Sequence, residues 1–126
     1  MDDIYKEELM DIYRNPSKKG HLDKPTATAL EKNPFCGDEV TLELEIKDGI
    51  IKDARFSGSA CAVSVISSEI LIENILDKSV EEVKKLTKED LLDMIDLNLT
   101  TSRIACATLI LIALKGAVKK YDQKNN

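Results

Sequence analysis

The chain has 126 residues, 43% of them hydrophobic and 33% charged, the length and composition of one ordinary globular domain. A formal net charge of −5 argues against nucleic-acid binding, which needs a dense basic surface, and an aromatic content of 4% with no Trp argues against base-stacking platforms. A single histidine, His21, excludes any mechanism built on two imidazoles.

The N-terminal stretch is charged and lacks the apolar core of a signal peptide. The longest apolar run, Leu109 to Leu114, is far shorter than the roughly 18 residues of a bilayer span. A cytoplasmic protein is expected, with no membrane and no nucleic acid among its partners. Disulfides are rare in that compartment, and three cysteines could not all pair in any case. The thiols therefore point to metal binding, sulfur chemistry or burial.

Tyr5 to Tyr13 have helical spacing, with Ile4, Leu9, Ile12 and Tyr13 on one face, and Pro16 ends the run. Ser17 to Thr28, with Gly20 and Pro25, reads as a loop, and Thr28 to Lys32 is a weakly signalled strand. Val40 to Lys47 alternates, placing Val40, Leu42, Leu44 and Ile46 on one face and Thr41, Glu43, Glu45 and Lys47 on a solvated one. Asp48-Gly49 is a hairpin turn, and Ile50 to Phe56 returns. After Ser57-Gly58-Ser59 the period becomes helical. Ala62 to Leu76 is apolar on most sides and should be buried. Ser79 with Glu82, and Thr87 with Asp90, read as capping boxes opening two short helices. Thr101 or Ser102 caps a last helix to about Tyr121, and Lys119 to Asn126 should fray. Strands first and helices later predict an α+β fold: a small antiparallel sheet, about three-stranded, with helices packed on one side. The organisation is a single domain, 1–126, with the N-terminal helix 1–15 and the tail 122–126 as its mobile ends.

Cys36 sits in a loop, Asn33-Pro34-Phe35-Cys36-Gly37-Asp38, just before the hairpin. Cys61 follows Ser57-Gly58-Ser59-Ala60, and Cys106 falls in the first turn of the last helix, where the helix dipole favours a thiolate. Cys106, among Ile104, Ala107 and Leu109, could equally be a small buried hydrophobe; Cys61 could be a packing residue too, while Cys36, in a loop with little apolar company, fits that reading least. No Cys-x-x-Cys pair is present, which disfavours a zinc ribbon. A tetrahedral site needs four donors. Asp38, two residues after Cys36 in an exposed loop, can supply the fourth, or can simply open the strand; His21 is the competing donor, or a solvated side chain.

The three cysteine segments together resemble the motifs of the IscU-type iron–sulfur cluster assembly scaffolds, a group that includes SufU proteins and the N-terminal part of NifU. Tyr13, Asn15, Pro16 and Gly20 fit the family's N-terminal pattern, and Asp48 to Phe56 resembles its hairpin. The resemblance implies an IscU-like fold and a binding protein rather than an enzyme. It would take persulfide sulfur from a cysteine desulfurase, gather iron, hold a labile [2Fe–2S] cluster and pass it to apo-proteins. Homodimer formation in the cluster-bound form is a further implication. Cys36, Asp38, Cys61 and Cys106 are the positions matching the family's ligands, and the same site could hold zinc or iron alone.

Three departures bear on this. The His that IscU proteins carry before the third cysteine is Ala105 here. The interval from Cys61 to Cys106 is short and IscU-like, without the insertion of SufU proteins. The stretch by which bacterial IscU binds its Hsp70 is replaced by Leu97 to Arg103. The alternative reading is a SufU-like, zinc-bound sulfur acceptor.

Overall fold

The computed structural model describes residues 3–34 and 37–124. Helix α1 (Asp3–Arg14) precedes three strands, β1 (Ala27–Lys32), β2 (Glu39–Lys47) and β3 (Ile50–Ser57). Helices α2 (Ala62–Ile75), α3 (Val80–Lys84), α4 (Lys88–Ile95) and α5 (Thr101–Lys124) follow. The strands form one antiparallel sheet in the order β1-β2-β3, so the expected α+β layering holds, including the weakly signalled first strand.

The β2–β3 turn has φ of 55° at Asp48 and 74° at Gly49, the two left-handed positions of a type I′ hairpin. Pairing then runs Lys47↔Ile50 and Ile46↔Ile51 before shifting to Glu45↔Asp53. That shift leaves Lys52 as the extra residue of a bulge. It resets the alternation, so that Ile51, Ala54 and Phe56 join Val40, Leu42, Leu44 and Ile46 on the buried face.

Helices α2 and α5 cover that face, contributing Leu71, Ile72, Ile75, Ile110, Ala113 and Leu114 to the core. Among the described residues α5 is the one helix long and apolar enough to cross a membrane by composition, but 50% of that stretch is buried inside the fold. Its apolar residues pack on β1, β2, α2 and α4. The capping boxes at Ser79/Glu82 and Thr87/Asp90 both form.

Four local expectations change. Tyr13 is exposed while Leu9 is buried, so the apolar face of α1 turns inward at Leu9; the side chain of Ile4 lies outside the described part. Thr101 and Ser102 lie inside the first turn of α5 rather than before it, and the helix runs past Tyr121 to Lys124. The Lys84 ammonium bonds Asp122 at 2.5 Å and Glu81 at 2.9 Å, tying that last stretch to α3. Finally, Glu43 on the outer face of β2 is buried, because loop residues His21 and Leu22 fold over it.

The free edge of β3 is also covered. Phe56 exchanges backbone bonds with Lys18 and Gly20, and Ile51 does so with Asp77 and Lys78. Loop and linker thus bond the two ends of the β3 edge.

Candidate metal centre

Two loops and one helix build the site. The β1–β2 connection is closed by Asn33 N–H donating to the Asp38 carbonyl at 2.8 Å, which sets Asp38 just ahead of β2. The β3–α2 connection is drawn against the same strand end by Glu39 N–H donating to the Ser59 carbonyl at 2.8 Å. Cys61 then stands as the N-terminal flanking residue of α2, in extended conformation, its own side chain making no capping bond. α5 crosses behind and brings Cys106 to the same place.

The ligand atoms of Asp38, Cys61 and Cys106 lie within 4.8 Å of one another. They open on a groove of about 360 Å³, whose walls also include Ser102 and Arg103. Cys36, the fourth residue singled out by the sequence, lies outside the described residues.

Asp38 departs from its expected setting. It is 6% exposed, not a solvated loop carboxylate. Oδ1 accepts the Cys61 amide at 3.2 Å and Oδ2 accepts the Ser64 hydroxyl at 2.7 Å. A carboxylate at a helix N-terminus satisfies an amide that the helix itself leaves unpaired. Burial pushes the Asp38 pKa up, but hydrogen bonds from Ser64, from the Cys61 thiol and amide and from the Cys106 thiol outweigh it, holding the group below the usual value. The structural alternative for Asp38 is therefore a partner for the start of α2, rather than an opener of β2.

Cys106 is the sixth residue of α5, beyond the first turn where the sequence pattern placed it. The dipole effect falls off within that turn, so proximity to Asp38 and Cys61 distinguishes this thiol, not its place on the helix. Cys106 is buried and Cys61 half-buried, and neither is in a disulfide. Ala105, at the position of the missing His, is exposed and lines a neighbouring apolar groove with Pro34, Leu109 and Ile112.

His21 is not part of this cluster. Its Nδ1 lies 2.7 Å from Glu43 Oε2, five residues along β2 from Asp38. At strand spacing that is roughly 16 Å away. Ser64 is the site residue that sequence reading missed. Its signal was a serine three positions after Cys61 in the apolar start of the helix, hidden by the similar Ser67 and Ser68.

Two thiols and one carboxylate at this spacing make a mixed soft and hard donor set suited to zinc or to iron in a sulfur environment. The residues present fit such a group, with the carboxylate already ionised and aimed.

Comparison with known proteins places the chain in a family. The family model of the NifU-like N-terminal domain matches residues 4–126, and the chain belongs to that family. It is 32% identical over 136 residues to a Thermotoga maritima protein named iron–sulfur cluster assembly scaffold protein IscU, covering 95% of this chain and 96% of that one. It is 30% identical over 142 residues to the zinc-dependent sulfurtransferase SufU of Bacillus subtilis, covering 99% and 96%. Among solved structures, the NifU-like N-terminal protein of Brucella abortus superposes with a TM-score of 0.77 at 22% identity, over 98% of this chain and 97% of that one, a likeness of fold. A Fervidobacterium islandicum protein, described as a proposed scaffold of the SUF system, gives 0.76 at 26% identity, over 91% and 96%.

Proposed function

We propose that this protein is a scaffold for iron–sulfur cluster assembly. It takes sulfur as persulfide from a cysteine desulfurase, gathers iron, holds a labile [2Fe–2S] cluster and passes it to apo-proteins in the cytoplasm. The observation that carries this reading is the convergence of Asp38, Cys61 and Cys106 on one open groove. Cys36 would complete the donor set. Thiolates hold iron firmly, while a single carboxylate makes one corner of the site easier to exchange. A carrier must release its cargo, so mixed donors suit it better than four thiolates.

The groove is open at the surface, which suits donors that must be reached by a partner. The Asp38 carboxylate, kept ionised by its donors, needs to lose no proton before it binds metal. In this role the chain carries and delivers rather than catalyses.

A second reading has a specific observation behind it. Ala105 removes the imidazole of IscU proteins, and the B. subtilis relative is named a zinc-dependent sulfurtransferase. Zinc would then occupy the same donors, and one cysteine would carry sulfur away from the desulfurase.

The test is anaerobic incubation of the full chain with a cysteine desulfurase, cysteine, ferrous iron and a thiol reductant, which supplies the electrons that take persulfide sulfur to sulfide. Visible bands of a [2Fe–2S] cluster that form on this protein, and move to an apo-acceptor when one is added, support the scaffold. Retained stoichiometric zinc, with sulfur leaving the desulfurase and no visible bands, favours the sulfur acceptor. Failure to bind either metal contradicts both.

A further inference from the structure

We infer that Ser64 is the positioning residue of this site: its hydroxyl fixes the Asp38 carboxylate and links it to α5 at Cys106, so the donors hold their spacing before metal arrives. The inference rests on the metal-site reading above and adds to it a residue that binds no metal.

Ser64 is the third residue of α2 and is 2% exposed. Its Oγ lies 2.7 Å from Asp38 Oδ2, 2.9 Å from the Cys106 carbonyl oxygen and 3.8 Å from Cys61 Sγ. One hydroxyl thus touches all three of the converging residues. A hydroxyl has one hydrogen and two acceptor lone pairs. Its one hydrogen is shared between the carboxylate and the Cys106 carbonyl as a three-centre bond, and a lone pair accepts from the Cys61 thiol. When Cys61 becomes a metal-bound thiolate, its S–H bond to Ser64 is lost. The Ser64 hydroxyl still donates its hydrogen to the Asp38 carboxylate and the Cys106 carbonyl.

Asp38 is consequently held at both oxygens, by Cys61 N–H on Oδ1 and by Ser64 on Oδ2. Each oxygen accepts two hydrogen bonds with ease, so each keeps a site for metal. Hydrogen-bond partners of this kind orient ligating carboxylates, and losing one lowers metal affinity by about 10- to 100-fold.

A purely structural role for the hydroxyl has its own comparison on the same helix. Ser67, one turn further on and also buried, donates to the Ala107 carbonyl of α5. It makes the same kind of α2–α5 bond and, among the described residues, bonds to no candidate ligand. Ser68 bonds back to the Ser64 carbonyl within α2. If the serines served only to join two helices, Ser64 and Ser67 would be equivalent.

The experiment titrates the reduced full-length protein with cobalt(II), read by its thiolate charge-transfer and d–d bands, and then displaces cobalt with zinc. Ser64→Ala is predicted to bind zinc about 10- to 100-fold more weakly and to shift the cobalt bands. Ser67→Ala is predicted to match wild type within about twofold in affinity and to leave the bands in place. Ser64→Thr, which keeps the hydroxyl, is predicted to restore the wild-type spectrum. Metal-free melting curves of Ser64→Ala and Ser67→Ala should fall by similar amounts. Equal losses of affinity in the two Ala variants would overturn the inference, as would an unchanged spectrum in Ser64→Ala. Should Ser64→Ala not fold, a folded Ser64→Thr that binds metal as poorly as a ligand variant would overturn it instead. Wild-type protein that takes up neither metal would sink the site reading itself, a separate failure.

Discussion

A methyl group placed on Gly58 would lie 2.2 Å from the carbonyl oxygen of Glu39, well inside any allowed contact. Gly58 also has φ of +118°, a conformation that side chains rarely adopt. The glycine is what lets the β3–α2 connection lie flat against the start of β2. That contact, with the Glu39 to Ser59 backbone bond, carries Cys61 to Asp38. Gly58→Ala should therefore cost about 1–3 kcal/mol in strain and also reduce zinc affinity. Urea denaturation and a zinc titration check the two effects; full stability with full affinity would show that the connection can be rebuilt.

Asp38→Ala should lower both stability and metal binding. It removes the acceptor of the Cys61 amide and of the Ser64 hydroxyl, a loss comparable to that of a helix cap, about 0.5–2 kcal/mol. An exposed ligand would have left stability unchanged. Denaturation midpoints of the metal-free proteins measure this, and equal midpoints would mean that Asp38 is not held as described.

His21→Ala should leave zinc affinity unchanged, because His21 pairs with Glu43 away from the cluster. A clear loss of affinity in a zinc competition assay would return the imidazole to the donor set.

Glu69 offers a pH test away from the site. This buried α2 carboxylate accepts the Lys18 amide at 2.9 and 3.1 Å and anchors the loop after α1. Burial raises its pKa above the usual glutamate value, more than the Lys18 and Ser17 hydrogen bonds lower it. A raised pKa means that the folded state holds the proton more tightly than the unfolded chain. Stability from this group is thus gained as pH falls through the folded value and lost as pH rises. Glu69→Gln does not titrate. The stability of wild type relative to Glu69→Gln should rise as pH is lowered from 7 into the mildly acid range. A difference that is constant, or moves the other way, would contradict the burial account.

Where one local rule decided an outcome, the sequence was readable: the Asp48-Gly49 turn, the alternation of β2 and the two capping boxes all form. The bulge at Lys52 was not, because it depends on which face of β3 meets the helices. Glu43 looked solvated because strand periodicity says nothing about a loop folding over the outer face. Asp38 and Cys61 were recognisable as chemistry-bearing residues, but their link through Ser64 was not. That link joins a strand end, a helix start and the middle of a second helix, and no spacing along the chain encodes it.

The central claim is that Cys36, Asp38, Cys61 and Cys106 form one site. Zinc K-edge X-ray absorption on wild-type protein loaded with one equivalent of zinc reads the donor set directly. The account predicts one zinc per chain, with three sulfur scatterers at about 2.3 Å and one oxygen at about 2.0–2.2 Å. Two sulfurs or fewer, or a nitrogen donor identified as His21, would contradict it.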